Sequence, residues 1–479
     1  MKRNIDCKES RCRIAMYAVL TVSFIFIAYQ YAVYIDIAKS TVPIMDYWKW
    51  ITVYGQKLLD GEITFADYFR SDAGEHIQPI CMAINFWVLR AFDFDVRPLV
   101  EWGLYGRIAV AAAVTGLFIF RFRNSEQHHY ILQFLCALAI IMAVFNYNQW
   151  EMTTEPFSLT NVFRISNYFL SFYLTDLFLK EIESRSTKRN LVLAVLLGVY
   201  CAYLTIFVGA AYFVGHLVAI GLAMLWTLMN QRENVKKYLW PMAVWGVISF
   251  LSACVYYILI CNRGVARETI ESTNNILILL LEGICFFWGG LFIHTQTMEQ
   301  YGGALVTMLG ALVLVYSLFI LSSYLRKRRD GKELLPAICV LYALVLSVAI
   351  SLGRVTVFGA ASMSSSRYVV ESTMGLSGVI WMSYSVFLDS PKTKISWAKP
   401  AACACTVILL LGAAEKTENG IAPYRAIYND NLYEMMTHIE NYSDEELAPF
   451  QANSASDVRY CVAFFEENGL SIFSDRYSR

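Results

Sequence analysis

A chain of 479 residues that is 57% hydrophobic, 15% aromatic and only 16% charged carries more apolar surface than a soluble protein of this size can bury. Lys plus Arg and Asp plus Glu number 39 each, so no net charge draws the chain to nucleic acid. These balances exclude a soluble enzyme and a nucleic-acid binder. They predict an all-α polytopic membrane protein in a lipid bilayer, with roughly 20 apolar residues for each crossing of a core about 30 Å thick.

Lys2, Arg3, Lys8, Arg11 and Arg13 precede an apolar run from about Ile14 to Val33, which predicts an uncleaved anchor starting in the cytoplasm. Cys7 and Cys12 flank this first span and are candidates for acylation. Residues 36–97 then form the first extracytoplasmic loop. Within it Trp48, Ile51, Tyr54 and Leu58 share one helical face, the pattern of a helix lying in the membrane interface. A second short apolar piece, about Ile77 to Phe92, carries Asn85 and Arg90 and reads as interfacial or re-entrant.

Basic clusters beside spans fix the cytoplasmic side. On that rule span two (about Pro98 to Phe120) ends at Arg121 and Arg123, and span three (about Tyr130 to Phe145) exposes Asn146 to Glu151 outside. Span four, about Phe157 to Leu179, returns to Lys180 and Arg185. Spans five and six run from about Leu191 to Leu228, and span seven from about Tyr238 to Ile260. The run Ile276 to Ile293 breaks parity if it crosses, because Arg326 to Arg329 would then lie outside; Glu282 and Gly289-Gly290 favour a re-entrant element. Span eight is about Ala304 to Tyr324, span nine about Leu334 to Leu352, span ten returns to Lys392 and Lys394, and span eleven is about Trp397 to Leu411. The total is about eleven transmembrane helices plus interfacial helices. Residues 1–414 form the membrane domain, and 415–479 a polar extracytoplasmic tail in which Leu432, Met435, Met436 and Ile439 predict an amphipathic helix.

Cys136, Cys201, Cys254, Cys285, Cys339, Cys403 and Cys405 sit inside apolar runs with no C-x-x-C pair and no His at ligand spacing, which reads as buried thiols and not a disulfide framework or metal site. His216 and His294 read as structural residues. The topology, set by cytoplasmic charges alone, gathers Asp46, Glu75, His76, Gln149, Glu151, Arg354, Arg367 and Tyr368 on one outer surface. Ionisable groups at membrane depth are costly unless they act. Asp46 is a candidate general base, or alternatively a cap for the helix starting at Tyr47. Glu75 and His76 are candidates to position an acceptor, bind phosphate or hold a divalent cation, or Glu75 answers a helix dipole. Arg354 and Arg367 suit a phosphate, with pairing to Glu371 or lipid headgroups as the alternative. Trp150 is an interfacial anchor or a sugar platform, and Glu151 a substitute base.

An acid shortly after span one, a loop with interfacial helices, about eleven spans and an outer C-terminal segment together resemble the GT-C superfamily of glycosyltransferases. The GEHI stretch at Gly74 to Ile77 resembles an N-E-H-R-I motif of uncharacterised bacterial members, departing at Gly74 and Gln78. GR…SSSRY from Gly353 to Tyr368 and GLSIF from Gly469 to Phe473 are similar to further patterns of that group. Serotype-converting O-antigen glucosyltransferases are similar in size and layout. The resemblance implies a polyprenyl-phosphate-linked sugar donor, a glycan or glycolipid acceptor, and inverting transfer on the outer side of a bacterial inner membrane, with Asp46 as base and Arg354 and Arg367 on the lipid phosphate. A transporter or flippase of lipid-linked sugars and an O-antigen polymerase or ligase are the alternatives.

Overall fold

The computed structural model describes residues 2–70, 78–123, 129–182, 184–231, 235–261, 276–293, 302–326, 333–388 and 398–476. Glu75 and His76, the whole Gly74–Ile77 motif, His294 and the basic residues 327–329, 392 and 394 lie outside them. All regular structure among the described residues is helical. The long elements are α1 (Lys2–Ala38), α2 (Asp46–Asp60), α3 (Pro79–Ala91), α4 (Arg97–Phe122), α5 (Tyr130–Val144), the single turn α6 (Glu151–Thr154), α7 (Ser158–Glu181) and α8 (Thr187–Tyr203). They are followed by α9 (Phe213–Asn230), α10 (Val235–Cys261), α11 (Ile276–Gly289), α12 (Gly303–Arg326), α13 (Leu335–Phe358), α14 (Ser366–Leu388), α15 (Ala398–Thr437) and α16 (Ala455–Asn468).

Among the described residues nine helices are long and apolar enough to cross a membrane, where about eleven were expected. The other two expected spans are α7 and α14, which reach 24 and 23 residues but are too polar to count by composition. Their polarity has a physical reason. Residues Tyr368 to Tyr384 of α14 are buried throughout, and Asn161, Arg164 and Asp176 of α7 are buried as well, so their polar groups meet protein and not lipid.

The run expected to be re-entrant holds α11, whose 14 residues span about 21 Å and fall short of a bilayer core about 30 Å thick. It pairs in reverse order with α12: Gly289 lies against Val306, and Gly310 sits on the Cys285 carbonyl too closely for any Cβ. The Gly289-Gly290 turn is fastened to the segment just after α5, because Asn146 Nδ2 donates to the Leu291 carbonyl at 2.9 Å and Asn148 Nδ2 to the Gly290 carbonyl at 3.1 Å.

A second hydrophobic core lies apart from the helical bundle and joins chain segments about 350 residues distant. Tyr47, Trp48, Ile51, Tyr54 and Leu58 of α2 pack with Phe86 and Leu89 of α3 and with Leu432, Phe450, Val458, Cys461 and Phe465. The apolar stripe of α2 is the one expected, but protein covers it. A stripe of this width marks a face to be buried without saying whether lipid or protein buries it. The domain boundary expected at 414/415 falls inside the continuous 40-residue α15, whose end carries Leu432, Met435 and Met436 into this core.

Trp48 meets Phe450 edge-on at 5.1 Å between ring centroids. Phe450→Ala is expected to weaken this cap by about 3–5 kcal/mol. Limited proteolysis should then cut residues 432–472 early while the membrane helices keep their circular-dichroism signal; unchanged protection would refute a shared core.

Candidate functional site

Asp46 opens α2, and the residue before it is held in an unusual conformation. Met45 has φ +54°, a region that non-glycine side chains rarely adopt, at a cost of order 1–3 kcal/mol. Its amide donates to the Phe450 carbonyl at 3.1 Å, so the C-terminal segment fixes the strained turn. The Tyr47 hydroxyl donates to the Pro156 carbonyl at 3.0 Å and anchors the other side. Asp46 therefore projects from a turn gripped by two distant parts of the chain. Burial raises its carboxyl above the ordinary carboxylate range, and the Arg367 charge offsets part of that rise.

Asp46 borders a cavity of about 350 Å³ whose wall also includes Arg354, Arg367 and Tyr368. Three chain regions thus meet in one space. Its deeper wall comes from α3 and α7, with Asn85, Asn161 and Arg164. Arg164 is pinned there: its Nη2 lies 2.6 Å from Glu371 Oε1, its guanidinium stands 3.9 Å from the centre of the Tyr212 ring, and the Tyr342 hydroxyl donates to the other oxygen of Glu371. Trp50 and Phe157 supply an aromatic corner, edge-on to each other at 6.2 Å.

A second compartment of about 480 Å³ shares Met45, Arg354, Arg367 and Tyr368 with the first. Its other walls include Trp150, Glu151, Ser362, Ser365 and Gln451. Glu151 organises this side by accepting from Arg367 Nη2 and Ser366 Oγ, each at 2.5 Å, and from Ser365 Oγ at 3.3 Å. Burial alone would raise the Glu151 carboxyl, but the Arg367 charge and these donors outweigh it and hold the carboxyl below its usual range. Arg354 differs from Arg367 in having no ion pair among the described residues; its guanidinium lies 5.2 Å from the Phe358 ring.

The structure therefore brings together Asp46, Arg354, Arg367 and Tyr368, with Trp150 and Glu151 in the adjoining compartment. Gln149, expected beside them as a substrate ligand, borders neither space. It accepts from Arg107 Nη1 and donates to the Val144 carbonyl, both at 2.7 Å, and so ties α4 to the end of α5. The pairing with Glu371 that stood as the alternative for Arg354 and Arg367 does not form among the described residues: Arg367 pairs with Glu151, and Glu371 with Arg164. His216 is structural as expected, stacked on Tyr168 at 4.5 Å with Nε2 2.6 Å from Ser171 Oγ. Among the described residues no three His, Cys, Asp or Glu side chains gather as a metal site.

Arg164, Asn85 and Asn161 were missed as site residues. The signal for Arg164 was present, since a lone arginine within an apolar run marks a functional position by default. Nothing comparable singled out the two asparagines.

Glu155, one turn beyond Glu151, is almost wholly buried, and neither carboxyl oxygen has a hydrogen bond. Burial pushes its carboxyl up to about 8, and Arg425, at 3.6 Å, offsets only part of this. Folding here favours the neutral form, whose contribution is complete below the ordinary glutamate range near 4.3 and is lost as pH rises through about 8. Glu155→Gln is expected to flatten the alkaline fall of the unfolding temperature between about pH 5 and about pH 9; an unaltered slope would contradict this. In comparisons with known proteins, no family model, no curated protein and no solved structure matches the chain.

Proposed function

We propose that the chain is a membrane glycosyltransferase of GT-C type that moves a sugar from a polyprenyl-phosphate-linked donor to a glycan or glycolipid acceptor on the extracytoplasmic side, in the bacterial inner membrane. The observation that carries this reading is the meeting of one half-buried carboxylate, Asp46, with two arginines, Arg354 and Arg367, around a single cavity. A carboxylate and a cationic pair are what displacement at a phosphorylated anomeric carbon requires. Asp46 takes the proton from the acceptor hydroxyl as its oxygen bonds to that carbon. The bond to the phosphate oxygen breaks on the opposite side, and the departing phosphate keeps the electron pair. Arg354 and Arg367 balance its growing charge, Arg354 as the cation with no ion pair among the described residues and Arg367 as the one oriented by Glu151. Attack opposite the leaving group inverts the anomeric configuration.

Two adjoining compartments sharing the arginine wall also suit two substrates. The raised carboxyl of Asp46 suits a base, because a weaker acid makes a stronger conjugate base.

Asp46→Asn is expected to lower transfer by about 10²- to 10⁴-fold while leaving membrane insertion intact. Surface-glycan composition, compared among hosts carrying the intact chain, the variant or neither, should show one sugar missing from the last two. In the purified protein, kcat/KM should rise with pH along a limb displaced above the ordinary aspartate range near 3.9. A normal glycan in the Asp46→Asn host would remove Asp46 from the reaction.

A further inference from the structure

Two buried amides on the deep wall of the Asp46 cavity leave an oxygen unpaired among the described residues. Asn85 and Asn161 are 1% and 6% exposed, and the Oδ1 atom of each lacks a hydrogen-bond partner among the described residues. A buried polar atom left unpaired is costly and calls for an explanation. Other buried amides are committed at least through nitrogen: Asn146, Asn148 and Asn190 all donate to backbone carbonyls of neighbouring segments, although the Asn190 Oδ1 is unpaired as well. Asn85 and Asn161 instead border the cavity from opposite helices, α3 and α7.

The charge pattern of the same wall limits what they read. Its cation, Arg164, is matched by Glu371 at 2.6 Å, so the depth of the cavity offers no unbalanced positive charge. Asp46 adds a carboxylate, and Arg354, which has no ion pair among the described residues, stands where the two compartments join. A ligand lying across the site meets its cationic partner at that shared wall, and at the depth it meets two neutral amides beside a guanidinium whose charge Glu371 already balances. Amides both donate and accept, as hydroxyls do, and the Trp50 and Phe157 rings offer apolar faces to C–H bonds. A cavity of about 350 Å³ lies within the range of small-molecule sites.

We propose that the deep end of this cavity seats an uncharged, polyhydroxylated ring whose hydroxyls are read by Asn85 and Asn161, so that the site takes a neutral sugar and rejects one bearing a ring carboxylate. This rests on the sugar-transfer reading.

The test is saturation-transfer NMR on the full chain in nanodiscs of phosphatidylethanolamine and phosphatidylglycerol, with methyl glucopyranoside, methyl galactopyranoside and methyl glucuronide as probes. At least one neutral hexoside is expected to bind saturably and about tenfold more tightly than the glucuronide, and Asn161→Ala to weaken it about tenfold. The comparison of probes on the unmodified chain stands even if a variant misfolds. Equal or tighter binding of the glucuronide, or no saturable binding of either hexoside, overturns the proposal. If hexosides bind while the Asp46→Asn host makes a normal glycan, the seat stands and the assignment of Asp46 falls. If that host loses its sugar while no hexoside binds, the transfer reading stands and the seat falls.

Discussion

Charge placed among membrane helices must find its partner inside the protein, because hydrocarbon offers none. The pair of Arg164 and Glu371 meets this condition across α7 and α14, with the Tyr342 hydroxyl from α13 on the same carboxylate. Much of the arrangement follows. The helices carrying the pair are drawn to the centre, and those without such groups, such as α8, α10 and α12, remain outside and turn Leu196, Phe250 and Leu312 outward. Arg107 meets the rule only in part, with the neutral Gln149 on Nη1 and its Nε and Nη2 unpaired among the described residues. A pair with one member removed would leave an uncompensated buried charge, which is far more costly than the intact pair. The net charge of the deep wall of the cavity is therefore close to zero.

Above this bundle the cap is assembled by different means. Apolar packing provides its cohesion, and two backbone contacts set its registration. Met45 donates to Phe450 beside α2, and Ser471 donates to Asp93 at 2.6 Å just after α3. Met45, Asp93 and Ser471 all have positive φ, as does Gln451, which follows Phe450. Strain of this kind persists only where surrounding contacts over-determine the backbone. Both junctions thus place tension at the seams between the first loop and the C-terminal segment, and one of them lies next to the proposed base.

The sequence disclosed the class of fold and much of the site through charge. Lys and Arg beside apolar runs sorted the loops by side, and that sorting gathered Asp46, Arg354, Arg367 and Tyr368, which border one cavity. Period alone marked the buried face of α2 without naming what buries it. The bond between Gln149 and Arg107 was hidden because an amide in a turn between apolar runs looks the same whether it faces solvent or a buried arginine. The central position of α7 and α14 was equally hidden, since it depends on pairing between residues 207 apart, Arg164 and Glu371. Asn85 and Asn161 had no local signature at all: their distinction is an unpaired oxygen among the described residues together with a place on the cavity wall, a property only three-dimensional packing defines.

The contact between Met45 and Phe450 has a consequence for how the molecule is made. The two residues are separated by nearly the whole chain, so the first loop leaves the biosynthetic machinery long before its counterpart exists. At synthesis rates of about 5–20 residues per second, that interval is on the order of twenty to eighty seconds. During it the apolar face of α2 has no protein to cover it, and the bilayer surface is the nearest substitute. Shedding lipid for protein would make the arrival of residues 432–472 the step that sets Asp46 in place, after the helices encoded ahead of them.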